Sequence, residues 1–371
     1  MNEVRKFVEK ISQNCRVAIY GAGNAGCGLK QYIDEYRRDI NIKFFVDAFQ
    51  RGSKENITII SPEDLVKRKA EIDLIILATR VSSHELVAVF EYLDIPYLYI
   101  DYTIQEYFRN KSLDIIQKTN LSIFKDLEDK NLYNMLWKSR ISKNYDEVAK
   151  YVLQKHDIGP RNLVRNYQAN YMEFINRDAI STIIDCGFCN GIHSLSFKKN
   201  LKNLKKLYAF EPMYDEFKND FYDKLIKDAN FCEIVEKGLW EYSKDFIFAN
   251  NIQNPPMSRI IEKESALRSN EVAVPIKTIS IDEFKEEKDI KKVDFIKMDI
   301  EGAELPALKG AIKTILSDRP QLAISIYHSY SDYVNIPEYL NSMLKDYTYR
   351  IGHYSYDVYE TVLYAIPNEL L

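Results

Sequence analysis

Twice in this chain an apolar run ends in a glycine-spaced turn and continues into a helical pattern. The first is "RVAIYGAGNAG", with Gly21, Gly23 and Gly26 at G-x-G-x-x-G spacing. The second is "STIIDCGFCNG", with Asp185, Gly187 and Gly191 at D-x-G-x-x-x-G spacing. A strand that turns on glycine into a helix opens a βαβ unit and leaves backbone N–H groups at the helix start to meet a ligand. Two such openings predict two parallel-sheet domains. The 371 residues, 46% of them hydrophobic, are enough for two separate cores.

After the first turn the periodicity alternates. Strands are expected at 16–20, 42–47, 57–60, 73–79 and 97–101, and helices at 24–36, 61–70 and 81–93. Ser61 caps the second helix, with Pro62 at its first position and Asp64 in its first turn. The series predicts a parallel sheet with right-handed crossovers over residues 1–104. Asp47 ends the second strand, where an acid would bond ribose hydroxyls. Gly21, Gly23, Gly26 and Asp47 are therefore candidate nucleotide-binding residues, and the glycines equally serve a tight turn and close helix–sheet packing. His84 is this domain's only histidine, and no Tyr-x-x-x-Lys or cysteine pair supports hydride transfer here.

Residues 105–164 read as a helical connector, with apolar stripes at Leu127, Leu132, Met135 and Leu136, then at Val148, Tyr151 and Val152. Such stripes suit packing between domains or between subunits, so a homo-oligomer through the connector is one expectation. "IGPRNLVRNYQ" (158–168) should be an irregular lead-in to the next domain.

In the second domain, residues 165–371, strands are expected at "STIID", "KLYAFEP", "FCEIVEKGLW", "DFIKMD", "QLAISIYH" and "ETVLYAIP". Acids fall at strand ends: Asp185 before its glycine turn, Glu211 after the second strand, Asp299 after the fourth. Ligands of open α/β sheets bind at these carboxyl ends. His328 ends the fifth strand.

Two resemblances follow from these blocks. "VAIYGAGNAG", "FFVDAFQRGSKENITIISPEDL" and "DLIILAT" resemble the small Rossmann-like N-terminal domains of bacterial sugar-modifying enzymes, which bind nucleotide sugars or serve as scaffolds. "IIDCGFCNGIHS", "YAFEPMYDEF", "GLW", "TISIDEF", "DFIKMDIEGAELPALKGA", "YRIGHY" and "ETVLYAIP" resemble the FkbM-type methyltransferases. One departure is visible: Phe188 and Cys189 stand where the family places a small residue and then Asn, with Asn190 one position later.

The second resemblance implies a class I methyltransferase fold, with a mixed seven-stranded sheet, and S-adenosylmethionine as cofactor. It implies that Gly187 and Gly191 let the backbone approach the methionine part, that Asp185 orients that turn, and that Glu211 holds the ribose hydroxyls. Lys237, Gly238 and Leu239 would border the adenine, and Asp299 would face cofactor and acceptor. An alcohol acceptor must lose its proton as the new bond forms, and His328 is the candidate base, ahead of His353; His193 is a local contact. Asp299, Glu301 and Glu304 form a D-x-E-x-x-E cluster that would suit Mg²⁺ or, preferably, the N-terminus of the following helix. No metal is therefore expected.

Composition narrows the class further. A net charge of -4 leaves no basic field for nucleic acid. No apolar run reaches the length of a membrane span, and the opening "MNEVRKFVEKISQNC" is an amphipathic pattern without signal-peptide features, so a cytoplasmic protein is expected. Five cysteines fit a reducing compartment, and the Cys186-x-x-Cys189 pair lacks a second pair at zinc spacing. The expected function is O-methylation of a sugar hydroxyl, on a bacterial surface glycan or a nucleotide-linked precursor. The alternatives are a nicotinamide-dependent nucleotide-sugar enzyme using the first turn, a methyltransferase for polyketide-type hydroxyls, and a non-catalytic binding protein.

Overall fold

A computed structural model describes residues 2–48, 50–78, 90, 94–100, 108, 113–142, 144–155, 171–217, 231–251, 258–261, 267, 271–355, 357 and 359–371. The chain divides into two compact units, Met1–Lys118 and Thr119–Leu371. Apart from Phe90, the expected helix over 81–93, with His84, and the lead-in over 158–168 lie outside the described residues.

In the first unit, β1 (Arg16–Tyr20), β2 (Asn41–Val46), β4 (Ile57–Ile60), β5 (Leu74–Leu77) and β6 (Tyr97–Tyr99) form a parallel sheet, with the short β3 (Gly52–Lys54) antiparallel on its edge. The spatial order is β3-β4-β2-β1-β5-β6. Successive side chains of β1 enter opposite cores, as the two-residue period of a strand requires. Val17 and Ile19 join Phe7, Leu29 and Ile33 on one face, while Ala18 and Tyr20 join Leu65 and Ile95 on the other. Both faces are thus covered, which is why these strands read as unbroken apolar runs. Helix α1 (Asn2–Glu9) supplies Val4, Phe7 and Val8 to the first core, and α2 (Asn24–Tyr36) runs directly from the glycine turn. Helix α3 (Pro62–Arg68) starts as its sequence signals indicate, with Ser61 Oγ accepting from the Asp64 N–H at 3.1 Å.

The second unit is built on a seven-stranded mixed sheet. Parallel strands β7 (Thr182–Cys186), β8 (Lys206–Phe210), β9 (Cys232–Val235), β14 (Phe295–Met298) and β15 (Gln321–Ser325) are joined by β16 (Tyr347–His353) and β17 (Thr361–Pro367). The order is β16-β17-β15-β14-β7-β8-β9, with β17 antiparallel to both neighbours. A second sheet, in the order β10-β13-β11-β12, was not anticipated. Its strands are β10 (Gly238–Leu239), β11 (Asp245–Asn251), β12 (Arg259–Ile261) and β13 (Glu271–Ile279), and Phe246, Phe248 and Ile276 form its core against Trp240.

The two connector helices, α4 (Leu127–Ser142) and α5 (Asp146–Lys155), belong to this second unit. The rings of Tyr133 and Tyr333 stack 4.6 Å apart, and each hydroxyl donates to the other residue's carbonyl. Asp129 pairs with Arg350 at 2.5 Å. Leu132, Leu136, Val148 and Val152 are buried, so this part of the expected stripe is satisfied within the unit, whereas Leu127 is 71% exposed.

Candidate active site

Adjacent parallel strands deliver the candidate residues. β7 leads into the glycine turn; Glu211 follows β8, Asp299 follows β14, and His328 lies three residues beyond β15. Gly187 takes φ +89°, and a Cβ there would sit 1.8 Å from the Asp299 carbonyl oxygen, so only glycine lets the two loops pass this closely. Gly191 is the left-handed N-cap of α6 (Ile192–Asn200).

Glu211 is 6% exposed, and its two carboxyl oxygens accept from the Cys189 N–H at 2.9 Å and the Met213 N–H at 3.3 Å. Burial pushes its pKa up to about 7, against the pull of those two N–H groups. A ligand held by Glu211 is therefore placed against the glycine turn. Downstream, Lys237 is half-exposed with its ammonium 3.9 Å from Glu287, while Gly238 and Leu239 form β10 and are buried.

Beneath the turn lies a charge that the periodicity conceals. Lys297 is 1% exposed and is the cross-strand neighbour of Asp185 in the β14–β7 register. Its Nζ sits 3.0 Å from Asp185 Oδ1 and donates to the carbonyls of Cys186 at 3.2 Å and Gly187 at 2.6 Å. Burial opposes its charge, but Asp185 and Asp299 outweigh that and raise its pKa. The other Asp185 oxygen accepts from the Ser194 hydroxyl. Asp185 itself is fully buried, so its hold on the turn runs through Lys297 and Ser194.

Asp299 accepts from the Tyr171 hydroxyl at 2.8 Å and the Tyr327 hydroxyl at 3.0 Å. His328 stands between carboxylates: Nε2 is 3.3 Å from Asp299 and 3.6 Å from Glu301, and Nδ1 is 3.1 Å from Glu304. These contacts are too bent for well-formed hydrogen bonds and act as ion pairs. Burial disfavours the imidazolium, yet Glu304, Asp299 and Glu301 together raise the His328 pKa well above its ordinary value. The charge lowers that of Asp299 despite its burial. The raised pKa favours the imidazolium form, which has no lone pair for a further proton. Arg140 of α4 donates both terminal nitrogens to the Tyr327 carbonyl at 3.0 Å, fixing the backbone just before His328.

The D-x-E-x-x-E carboxylates divide their work. Glu304 is fully buried and accepts from the Ile300 and Gly302 N–H groups at 2.8 and 3.0 Å, closing the loop before its own helix. Glu301 holds a left-handed φ of +56°, keeps 28% of its side chain exposed, and has its pKa raised, burial being the main cause. One donor atom each from Asp299, Glu304 and His328 lies within 4.8 Å of the others. The two ring nitrogens face different carboxylates, and both Glu304 oxygens are engaged by the loop.

In the first unit Asp47 ties the turn to itself, with Oδ2 accepting from the Ala22 N–H at 2.9 Å and Oδ1 from the Gln50 N–H at 3.0 Å. A Cβ on Gly26 would lie 2.0 Å from the Gly21 carbonyl oxygen, so this glycine serves close packing. On Gly23 a Cβ would meet nothing within 4 Å. His353 is 1% exposed and bonds Thr361 through Nδ1 at 2.8 Å, which makes it part of the β16–β17 pair. His193 packs edge-on against Tyr171, 4.9 Å between ring centroids.

A mixed seven-stranded sheet, a glycine turn after its first strand and an acid after its second frame the second unit, and its match to a methyltransferase domain makes it an S-adenosylmethionine-dependent methyltransferase. Residues 185–351 match the family model of the methyltransferase FkbM domain. No curated protein matches the chain. The crystal structure of methyltransferase FkbM from Methylobacillus flagellatus KT shares 19% identity, with 98% of this chain and 93% of that chain covered and a TM-score of 0.49. The O-methyltransferase from Bacillus cereus in complex with SAH shares 14% identity over 60% of this chain and 91% of that chain, at a TM-score of 0.33. C. glutamicum DAP dehydrogenase shares 18% identity over 27% of this chain and 33% of that chain, at a TM-score of 0.22.

Lys297, Tyr171, Tyr327, Ser194 and Arg140 were not among the residues expected here. Lys297 alone carried a signal, a charge inside an apolar strand run; nothing local marks the others.

Proposed function

We propose that the second unit transfers a methyl group to a hydroxyl of a sugar, on a surface glycan or a nucleotide-linked precursor. The supporting observation is the Asp299–Glu301–His328 cluster beside the cofactor turn. The cofactor fits the residues present: Glu211 would hold the ribose hydroxyls, and the turn from Gly187 to Gly191 the methionine part. When bound, S-adenosylmethionine supplies a methyl on a sulfonium, open to in-line displacement. The chain's own task is alignment and proton removal. Three carboxylates, Asp299, Glu301 and Glu304, stand within 3.6 Å of the one His328 ring, so the cluster has room for a proton. We place that proton on Glu301, the partly exposed member, with His328 and Asp299 holding it in position. No metal enters this scheme.

The first unit's turn is proposed to hold a nucleotide phosphate; the open side of Gly23 supports this. A cytoplasmic site of action, where nucleotide-linked sugars are made, belongs to the same proposal. The test is incubation with S-adenosylmethionine and a panel of nucleotide sugars, read by mass spectrometry for a methylated product. His328→Ala should bind cofactor normally and lose turnover, and wild-type turnover in that variant removes His328 from the mechanism. Loss of uridine diphosphate binding in Gly21→Val would support the phosphate site, and unchanged binding would refute it.

A further inference from the structure

We propose that Lys297 is a positioning residue for the amino-acid end of the cofactor: it presets the Cys186–Gly187 peptides against which that end must lie. The proposal rests on the methyltransferase reading of the same site. Its basis is the contacts of a buried ammonium with the turn. The Lys297 ammonium donates to the Cys186 and Gly187 carbonyls at 3.2 and 2.6 Å and stands in an ion pair 3.0 Å from Asp185 Oδ1. The fourth neighbour is an aromatic face, with Nζ 5.3 Å from the Tyr171 ring centre. Lys297 is 1% exposed, so its action must pass through the turn.

The turn is gripped from both sides. Its N–H groups at Gly187 and Phe188 donate to the Phe210 carbonyl at 3.2 and 3.0 Å, while its carbonyls accept from Lys297. Two consecutive peptide planes are thereby fixed without help from a ligand. A buried ion pair is an expensive way to fill a strand position, since an apolar pair of similar volume often stabilises a core equally well. Its retention under a ligand-facing turn has a function if the pair sets the direction of those carbonyls and places a positive charge below them. The methionine part of the cofactor is a zwitterion, and it is sensitive to both. The adenosine part is held by Glu211 and is not.

That difference supplies the test. S-adenosylhomocysteine carries the amino-acid end; 5′-methylthioadenosine has the same nucleoside and lacks it. Both are titrated calorimetrically into the full-length protein, into Lys297→Met, and into the double variant Asp185→Asn/Lys297→Met, which removes the two charges together should the single variant not fold. The expected result in a folded variant is a loss of S-adenosylhomocysteine affinity of about tenfold or more, with methylthioadenosine affinity within about twofold of wild type. Equal loss for both ligands would make Lys297 a structural residue only, and no loss for either would leave it without a role in binding; each overturns the proposal. Wild-type protein that binds neither ligand would instead overturn the methyltransferase reading on which it rests.

Discussion

Glu211 sets stability and cofactor affinity against each other, and the structure gives the size of the conflict. Its pKa rises from 4.5 to about 7 through burial. At about 1.4 kcal/mol per unit, the neutral carboxyl is favoured in the folded state by about 3 kcal/mol. The sign follows from linkage: a group with a raised folded pKa contributes stability fully below its unfolded pKa, and loses it as pH rises through the folded value. The window here runs from 4.5 to about 7. Cofactor binding has the opposite preference, since ribose hydroxyls donate best to the ionised form. Affinity should therefore rise roughly tenfold between about pH 6 and about pH 8, as the ligand-free protein loses stability. Denaturant unfolding of wild type and Glu211→Gln across this range isolates the group from every other titration. The stability difference, variant minus wild type, should grow in favour of the variant by about 2–3 kcal/mol from about pH 5 to about pH 8. Parallel stability profiles, or an affinity for S-adenosylmethionine that does not change with pH, would refute the reasoning.

Further outcomes are expected elsewhere in the chain. Gly187→Ala combines a left-handed φ with a Cβ 1.8 Å from the Asp299 carbonyl oxygen, and should abolish calorimetric binding of S-adenosylmethionine at a cost of about 1–3 kcal/mol to the second unit. Gly26→Ala forces the Gly21 carbonyl aside and should lower the first unit's thermal midpoint by several degrees, by differential scanning calorimetry, with cofactor affinity unchanged. Glu301→Gln should reduce turnover about 100-fold or more and remove the acidic limb of the pH–rate profile, with S-adenosylmethionine affinity retained. Turnover should survive EDTA and gain nothing from added Mg²⁺; a stimulation would restore the carboxylate cluster as a metal site.

Much of this fold is legible before any coordinates. Strand and helix periods mark the order of elements in both units, because a residue's neighbours along the chain decide its face. The start of α3 is legible for the same reason, Ser61 and Asp64 being one helical turn apart. The acids at Glu211 and Asp299 can be read from their places at strand ends. The small sheet of β10 to β13 escapes such reading, since β11 and β13 pair antiparallel across residues distant in sequence.

What the sequence by itself determined was the sheet class, the glycine turns, the strand-end acids and, through the family resemblance of the blocks around them, the cofactor. What only the tertiary structure decided was their charge states and partners. Asp185 meets Lys297 through the register of two strands 112 residues apart at Asp185 and Lys297, Tyr171 reaches Asp299 from before the first strand of the sheet, and the His328 pKa is raised because three carboxylates surround it. Local pattern specifies where a side chain leaves the backbone. Burial and the company of other charges specify what it can do, and both are properties of chain segments brought together by folding.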